Sequence, residues 1–74
     1  MEISFLMLSY FKKTAETQHL SAAAEELHIS QPALSKMLSS LESKLGVRLF
    51  DRIGRNIVLN KNGQIFLKYA DIAL

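Results

Sequence analysis

One punctuated stretch, Leu20 to Gly46, constrains the fold of this chain more than anything else in it. Ser21 followed by Ala22, Ala23, Ala24, Glu25, Glu26 and Leu27 predicts a short helix, with the Ser21 hydroxyl as its N-cap acceptor. The alanines favour helix and add little volume, so a second helix can cross them closely. His28-Ile29-Ser30 interrupts the pattern, with Ile29 expected inward beneath the turn. Ser30 then caps a second helix that carries Pro32 in its first turn, where a missing amide proton and a fixed φ cost little. Leu34, Leu38, Leu41 and Leu45 recur at i, i+4, i+7 and i+11, one apolar stripe of an α-helix. Gly46 stands where a left-handed C-cap is expected.

The other face of that second helix, over about 31–45, carries Pro32, Lys36, Ser39 and Ser43, flanked by Ser35 and Ser40. Serine is a poorer helix former than Glu, Lys or Ala by roughly 0.5 kcal/mol per exposed position, so a merely solvated face is better served by the latter. Plain polar surface is the alternative reading. Gln31, Ser35 and Lys36 nevertheless gather near the helix start, and short hydrogen-bonding side chains there suit a closely fitting polar partner. The DNA major groove is such a partner: bulky side chains would hold the backbone away from base edges.

Residues 3–17 predict a first helix, with Phe5, Leu8, Phe11 and Ala15 on one side and Lys12, Lys13 and Glu16 on the other. Phe5, Tyr10 and Phe11 are expected in the core, and Leu20 inward after the Gln18-His19 link. Beyond Gly46 the period changes. Val47 to Phe50 and Arg52-Ile53 read as strand, Gly54-Arg55-Asn56 as turn, and Ile57 to Leu59 as a return strand. This is a small basic-tipped hairpin, or wing, that places Arg52 and Arg55 near phosphates or a narrow minor groove; ordinary turn arginines are the alternative. Asn60 caps a last helix in which Ile65, Tyr69 and Ile72 share a face, although Asn62-Gly63 is also a two-residue hairpin signal. The helical pattern runs on to residue 74, which suggests a piece of a longer polypeptide.

At 74 residues the chain is one small domain, and its 49% hydrophobic content argues against disorder. It contains no cysteine, which excludes disulfides and thiolate metal sites and fits a reducing cytoplasm. The apolar start, Ile3 to Phe11, has no basic leader or small-residue cleavage site and is not read as a signal peptide. No apolar run approaches a membrane span. Residues 1–30 hold two lysines against four glutamates, a balance of −2, whereas residues 31–74 hold seven basic side chains against three acidic ones, a balance of +4. Positive charge therefore begins at the serine-rich helix, as a phosphate-facing surface requires.

Ser21-Ala-Ala-Ala-Glu-Glu-Leu27, Ser30-Gln-Pro-Ala-Leu-Ser35, Leu41-Glu42, Leu45-Gly-Val-Arg-Leu-Phe50, Arg52, Arg55 and Leu59 together resemble the N-terminal DNA-binding domain of LysR-type transcriptional regulators. The resemblance covers essentially the whole chain. It implies a mainly α fold: a winged helix-turn-helix of three helices and a β-hairpin over 1–59, then a linker helix from 60–74 that pairs two subunits. It further implies a C-terminal effector-sensing domain absent from this chain, which would take any small-molecule effector. Carried over by position, Gln31, Pro32, Ala33, Ser35 and Lys36 approach bases and backbone in the major groove, Ser21 and Ser30 contact phosphates, and Arg52 and Arg55 support from the wing. Ile65, Tyr69 and Ile72 are the dimerisation face. Three departures stand out. Ala22 replaces a frequent basic residue, Lys36 replaces a frequent arginine, and Asn60-Lys61-Asn62-Gly63 replaces the usual Thr-Pro-Ala-Gly, implying a less firm start to the linker helix.

The function expected is sequence-specific binding of double-stranded DNA by a bacterial, cytoplasmic regulator, nucleoid-associated when on DNA, acting as a homodimer or higher homo-oligomer without cofactor or membrane partner. A helical protein-docking module is the competing class, distinguished by weak duplex affinity and weak salt dependence. An enzyme has little support, since His19 and His28 lack a carboxylate or cysteine at ligand spacing and no Gly-rich phosphate loop occurs. No catalytic or metal-binding residue is assigned.

Overall fold

The computed structural model describes residues 2–54 and 56–74 and has the order α1 (Phe5–Thr17), α2 (Leu20–Glu26), α3 (Gln31–Leu45), β1 (Phe50–Ile53), β2 (Asn56–Leu59) and α4 (Lys61–Ala73). It is the mainly helical winged architecture anticipated above.

Local chemistry accounts for most of the boundaries. Ser4 starts α1 two residues later than the apolar pattern suggests, its hydroxyl accepting the Met7 amide at 3.2 Å. The buried stripe of α1 is Met7, Phe11, Thr14 and Ala15, and Phe5 falls off it. Contrary to expectation, Phe5 is 68% exposed. Its offset of two residues from Met7 places it on the far side of a helix with 3.6 residues per turn. Tyr10 is half-buried against the core.

The N-cap of α2 is also corrected. Leu20 is buried and already helical, so the cap falls to His19, whose Nδ1 faces the Ala22 amide at 3.4 Å. Ser21 lies inside the first turn. The connection to α3 turns at His28, which takes a left-handed φ of 58° while Ile29 N–H donates to the Ala24 carbonyl at 3.0 Å. Ser30 caps α3 by accepting the Ala33 amide at 3.2 Å, and Gly46 ends it with φ 74° and a 2.8 Å bond from its N–H to Glu42 O.

Val47 to Leu49 is loop, not strand. Its backbone is claimed by the helix before it: Glu42 Oε2 accepts the Leu49 amide at 2.6 Å. The strands start at Phe50 and pair antiparallel, Phe50 with Leu59 and Ile53 with Asn56. Asn60 then makes three anchoring contacts. Its Oδ1 accepts the Gly63 amide at 2.9 Å, its Nδ2 donates to Arg48 O at 2.8 Å, and its backbone N–H donates to Leu49 O at 3.0 Å. The linker-like helix therefore starts firmly despite lacking the usual Thr-Pro-Ala-Gly, and the hairpin alternative at Asn62-Gly63 is not taken. Gly63 is buried under this cap; a Cβ there would collide with the Leu49 carbonyl oxygen and with Leu59 Cδ2.

Phe11 sits at the centre of the core, with no exposed surface. Its ring is 5.5 Å from Phe50 at a tilt of 54° and 5.1 Å from Phe66, edge to face at 72°. Wing, α1 and α4 thus meet on one aromatic cluster, worth about 0.5–1.5 kcal/mol per ring pair beyond its area burial. Leu34, Leu38 and Leu41 of α3 and Ala23 and Ala24 of α2 complete the core. The buried alanines add little volume where α2 packs against α1 and α3.

Candidate nucleic-acid interface

With Leu34, Leu38 and Leu41 buried, the opposite side of α3 must face outward, and Gln31, Pro32, Ala33, Lys36, Ser39 and Ser40 are exposed. Ser35 is half-buried at the edge of this surface.

Two side-chain contacts tie the start of α3 to its neighbours. Ser21 Oγ donates to Gln31 Oε1 at 2.6 Å, joining α2 to α3. The Arg52 guanidinium donates to Ser35 Oγ at 3.4 Å, joining the wing to α3. A cleft lined by His19, Ser21, Gln31, Arg52, Gly54 and Asn56 runs between these elements. The fold thereby brings Ser21, Gln31, Ser35 and Arg52 into one connected group, with Lys36 following Ser35. Ser30 stands just before α3 as its cap, exposed, its oxygen accepting the Ala33 amide. Arg55 lies outside the described residues.

The Ser21 contact changes what that residue can offer. A serine hydroxyl has one proton, and a phosphate oxygen can only accept. While that proton is on Gln31, Ser21 has none for a phosphate.

Sequence reasoning did not single out His19, Asn56 or Arg48. Histidine is a weak cap by propensity, and nothing in the pattern marks His19 as the residue before α2. Arg48 and Arg52 both line a narrower cleft with Ser39 and Glu42 between α3 and the wing. Arg48 stood hidden in a run read as strand.

Charge is distributed in the same sense. The N-terminal lysines are neutralised, Lys12 by Asp71 at 3.1 Å and Lys13 by Glu26 at 3.6 Å and Glu16 at 3.9 Å. Among the described residues, Lys36, Arg48 and Arg52 form no ion pair, so the α3–wing side keeps its positive potential.

On α4, Ile65, Tyr69 and Ile72 are 48%, 65% and 84% exposed, spaced along one face at i, i+4 and i+7. A groove beside them is lined by Leu45, Val47, Leu49, Asn62 and Phe66. No helix among the described residues is long and apolar enough to cross a membrane.

Residues 5–64 match the family model for the bacterial regulatory helix-turn-helix protein, lysR family. Among relatives, the uncharacterized HTH-type transcriptional regulator YybE of Bacillus subtilis is 54% identical over 82% of this chain and 21% of its own length. The HTH-type transcriptional regulator PcaQ of Agrobacterium fabrum is 43% identical over 92% of this chain and 22% of its own. The chain thus spans about a fifth of the length of these two relatives. Among solved structures, the CbnR_DBD-DNA complex superposes with a TM-score of 0.91 at 39% identity, over 96% of this chain and 82% of that one. The BenM_DBD/catB site 1 DNA complex does so at 0.90 and 34% identity, over 96% and 76%.

Proposed function

Because the chain belongs to the lysR family of bacterial regulatory helix-turn-helix proteins, we propose that it is the sequence-specific, double-stranded-DNA-binding part of a cytoplasmic transcription regulator and has no catalytic role of its own. The observation that carries this reading is the exposed start of α3, Gln31 to Lys36, bonded on one side to α2 and on the other to the wing. Helix α3 enters the major groove, Gln31, Pro32, Ala33, Ser35 and Lys36 face bases and backbone, and Ser30 lies against a phosphate. Arg52, with Arg55, meets the flanking backbone or minor groove. Domain limits of 1–59 for the winged unit and 60–74 for the start of the linker helix follow. Ile65, Tyr69 and Ile72 pair two copies, so the site has approximate two-fold symmetry. Any small-molecule effector acts on a C-terminal domain beyond these residues.

Anisotropy titration against a genomic duplex pool at two salt concentrations, with sequencing of the retained fragments, tests the proposal. A steep salt dependence with enrichment of a two-fold-related motif is expected. Undetectable or salt-insensitive binding by the folded chain would instead favour a protein-docking surface.

A further inference from the structure

The two contacts at the start of α3 act on the same property, the hydrogen-bonding polarity of what α3 shows to a base. Gln31 carries an acceptor, Oε1, and a two-proton donor, Nε2. Its ordinary major-groove partner is adenine, read by both ends of the amide at once, with Oε1 accepting from N6 and Nε2 donating to N7. Here Oε1 is held by the Ser21 hydroxyl at 2.6 Å. The two heteroatoms diverge from one trigonal carbon, so anchoring the oxygen on α2 turns the NH₂ group away from α2. Ser35 is biased in the same sense from the other side. Its oxygen accepts from Arg52 at 3.4 Å, leaving its hydroxyl proton to be donated elsewhere. Lys36, the next polar group at the helix start, can only donate.

Resting on the DNA-binding reading above, we infer that the base-reading start of α3, Gln31 to Lys36, is biased toward donation by Ser21 and Arg52, each occupying one acceptor site, and that it favours a base presenting a keto oxygen to the major groove. Guanine offers O6 and N7, and thymine offers O4. Cytosine shows only the amino group N4, which meets a donor with a donor, and adenine offers a donor its N7 alone while its N6 amino group goes without the acceptor that a free Oε1 would supply. Ser21 is therefore a positioning residue for base choice rather than a phosphate contact, and its effect travels through Gln31.

The test uses duplex selection and sequencing with the 74-residue chain and with Ser21→Ala, Ser21→Thr, Gln31→Ala and Gln31→Glu variants, each checked for folding by circular dichroism. The base pair whose preference disappears in Gln31→Ala marks the position read by Gln31. At that position the parent chain is expected to prefer guanine or thymine over adenine and cytosine by roughly tenfold. Ser21→Ala should lower that discrimination about threefold or more while leaving salt-dependent, non-specific affinity in place, and Ser21→Thr, which restores the hydroxyl, should recover it. Gln31→Glu, which offers only acceptors, should move the preference to cytosine or adenine. A Gln31-dependent preference for adenine in the parent, or a Ser21→Ala variant with unchanged base choice, overturns the donor-biased assignment and leaves DNA recognition standing. Absence of any selective duplex binding by the folded parent overturns both.

Discussion

Glu42 Oε2 accepts the backbone N–H of Leu49 at 2.6 Å and lies 3.4 Å from that of Phe50, so one carboxylate on α3 organises the chain entering the wing. Leu49 and Phe50 are both buried, and a buried amide left without a partner costs about 1–3 kcal/mol. The helix that carries Gln31 at its start therefore aligns the wing from near its end.

Glu42→Ala is expected to lower the free energy of unfolding by about 2 kcal/mol, and Glu42→Gln, which keeps one acceptor, by about 1 kcal/mol. Urea titration followed by circular dichroism reads both. An alanine variant as stable as the parent would show that the loop finds its hydrogen bonds elsewhere.

Gly63→Ala should be among the most damaging single-methyl additions in the chain. The new Cβ meets the Leu49 carbonyl, which is backbone and cannot rotate aside as a side chain would. A loss of about 2–3 kcal/mol is expected, from overpacking together with displacement of the Asn60 cap. A thermal midpoint within a degree of the parent's would contradict the close approach of α4 to the wing base.

Ile72→Glu places a charge on the outward face of α4 at a residue 84% exposed. The folded monomer should keep its stability within about 0.5 kcal/mol, as surface substitutions usually do. Association should weaken. Sedimentation velocity of the parent and variant across a concentration series separates these effects. Equal mass in both at every concentration removes the α4 face as the proposed pairing surface.

Arg52→Ala should weaken binding to all duplexes by a similar factor and reduce the slope of log affinity against log salt by about one, as loss of one phosphate contact does. Because Arg52 also touches Ser35 at 3.4 Å, a small change in base choice at the Ser35 position is expected to accompany it. Selective loss at one base pair with an unchanged salt slope would reassign Arg52 from backbone to base.

Much of this architecture was legible in the amino-acid order because single residues with one conformational use mark it. Ser30, Pro32 and Gly46 bracket α3 at the limits observed, and the leucine stripe fixes which side is buried. Errors arose where a local preference met a tertiary demand. Ser21 is the better cap by propensity, yet burial of Leu20 draws the helix start back to His19. Val47 to Leu49 has strand-like composition, but the Glu42 carboxylate takes the Leu49 amide that a strand would pair. Phe5 looks like core by composition and is excluded by helical phase. At the candidate interface, the residue types on α3 were readable from spacing. The bond between Ser21 and Gln31 was not, because two residues ten positions apart meet only once α2 and α3 have packed.

The missing side chain at position 63 also bears on geometry far from any base. By letting α4 settle directly onto the carbonyl of Leu49, it leaves no space between the first turn of α4 and the base of the wing. In a pair of chains joined through α4, the separation and relative rotation of the two α3 helices would be a ruler cut at this joint. A protein that adjusts how far apart its two half-sites lie would then have to bend α4 beyond its first turns, or change how two such helices meet, because at its root α4 already touches backbone.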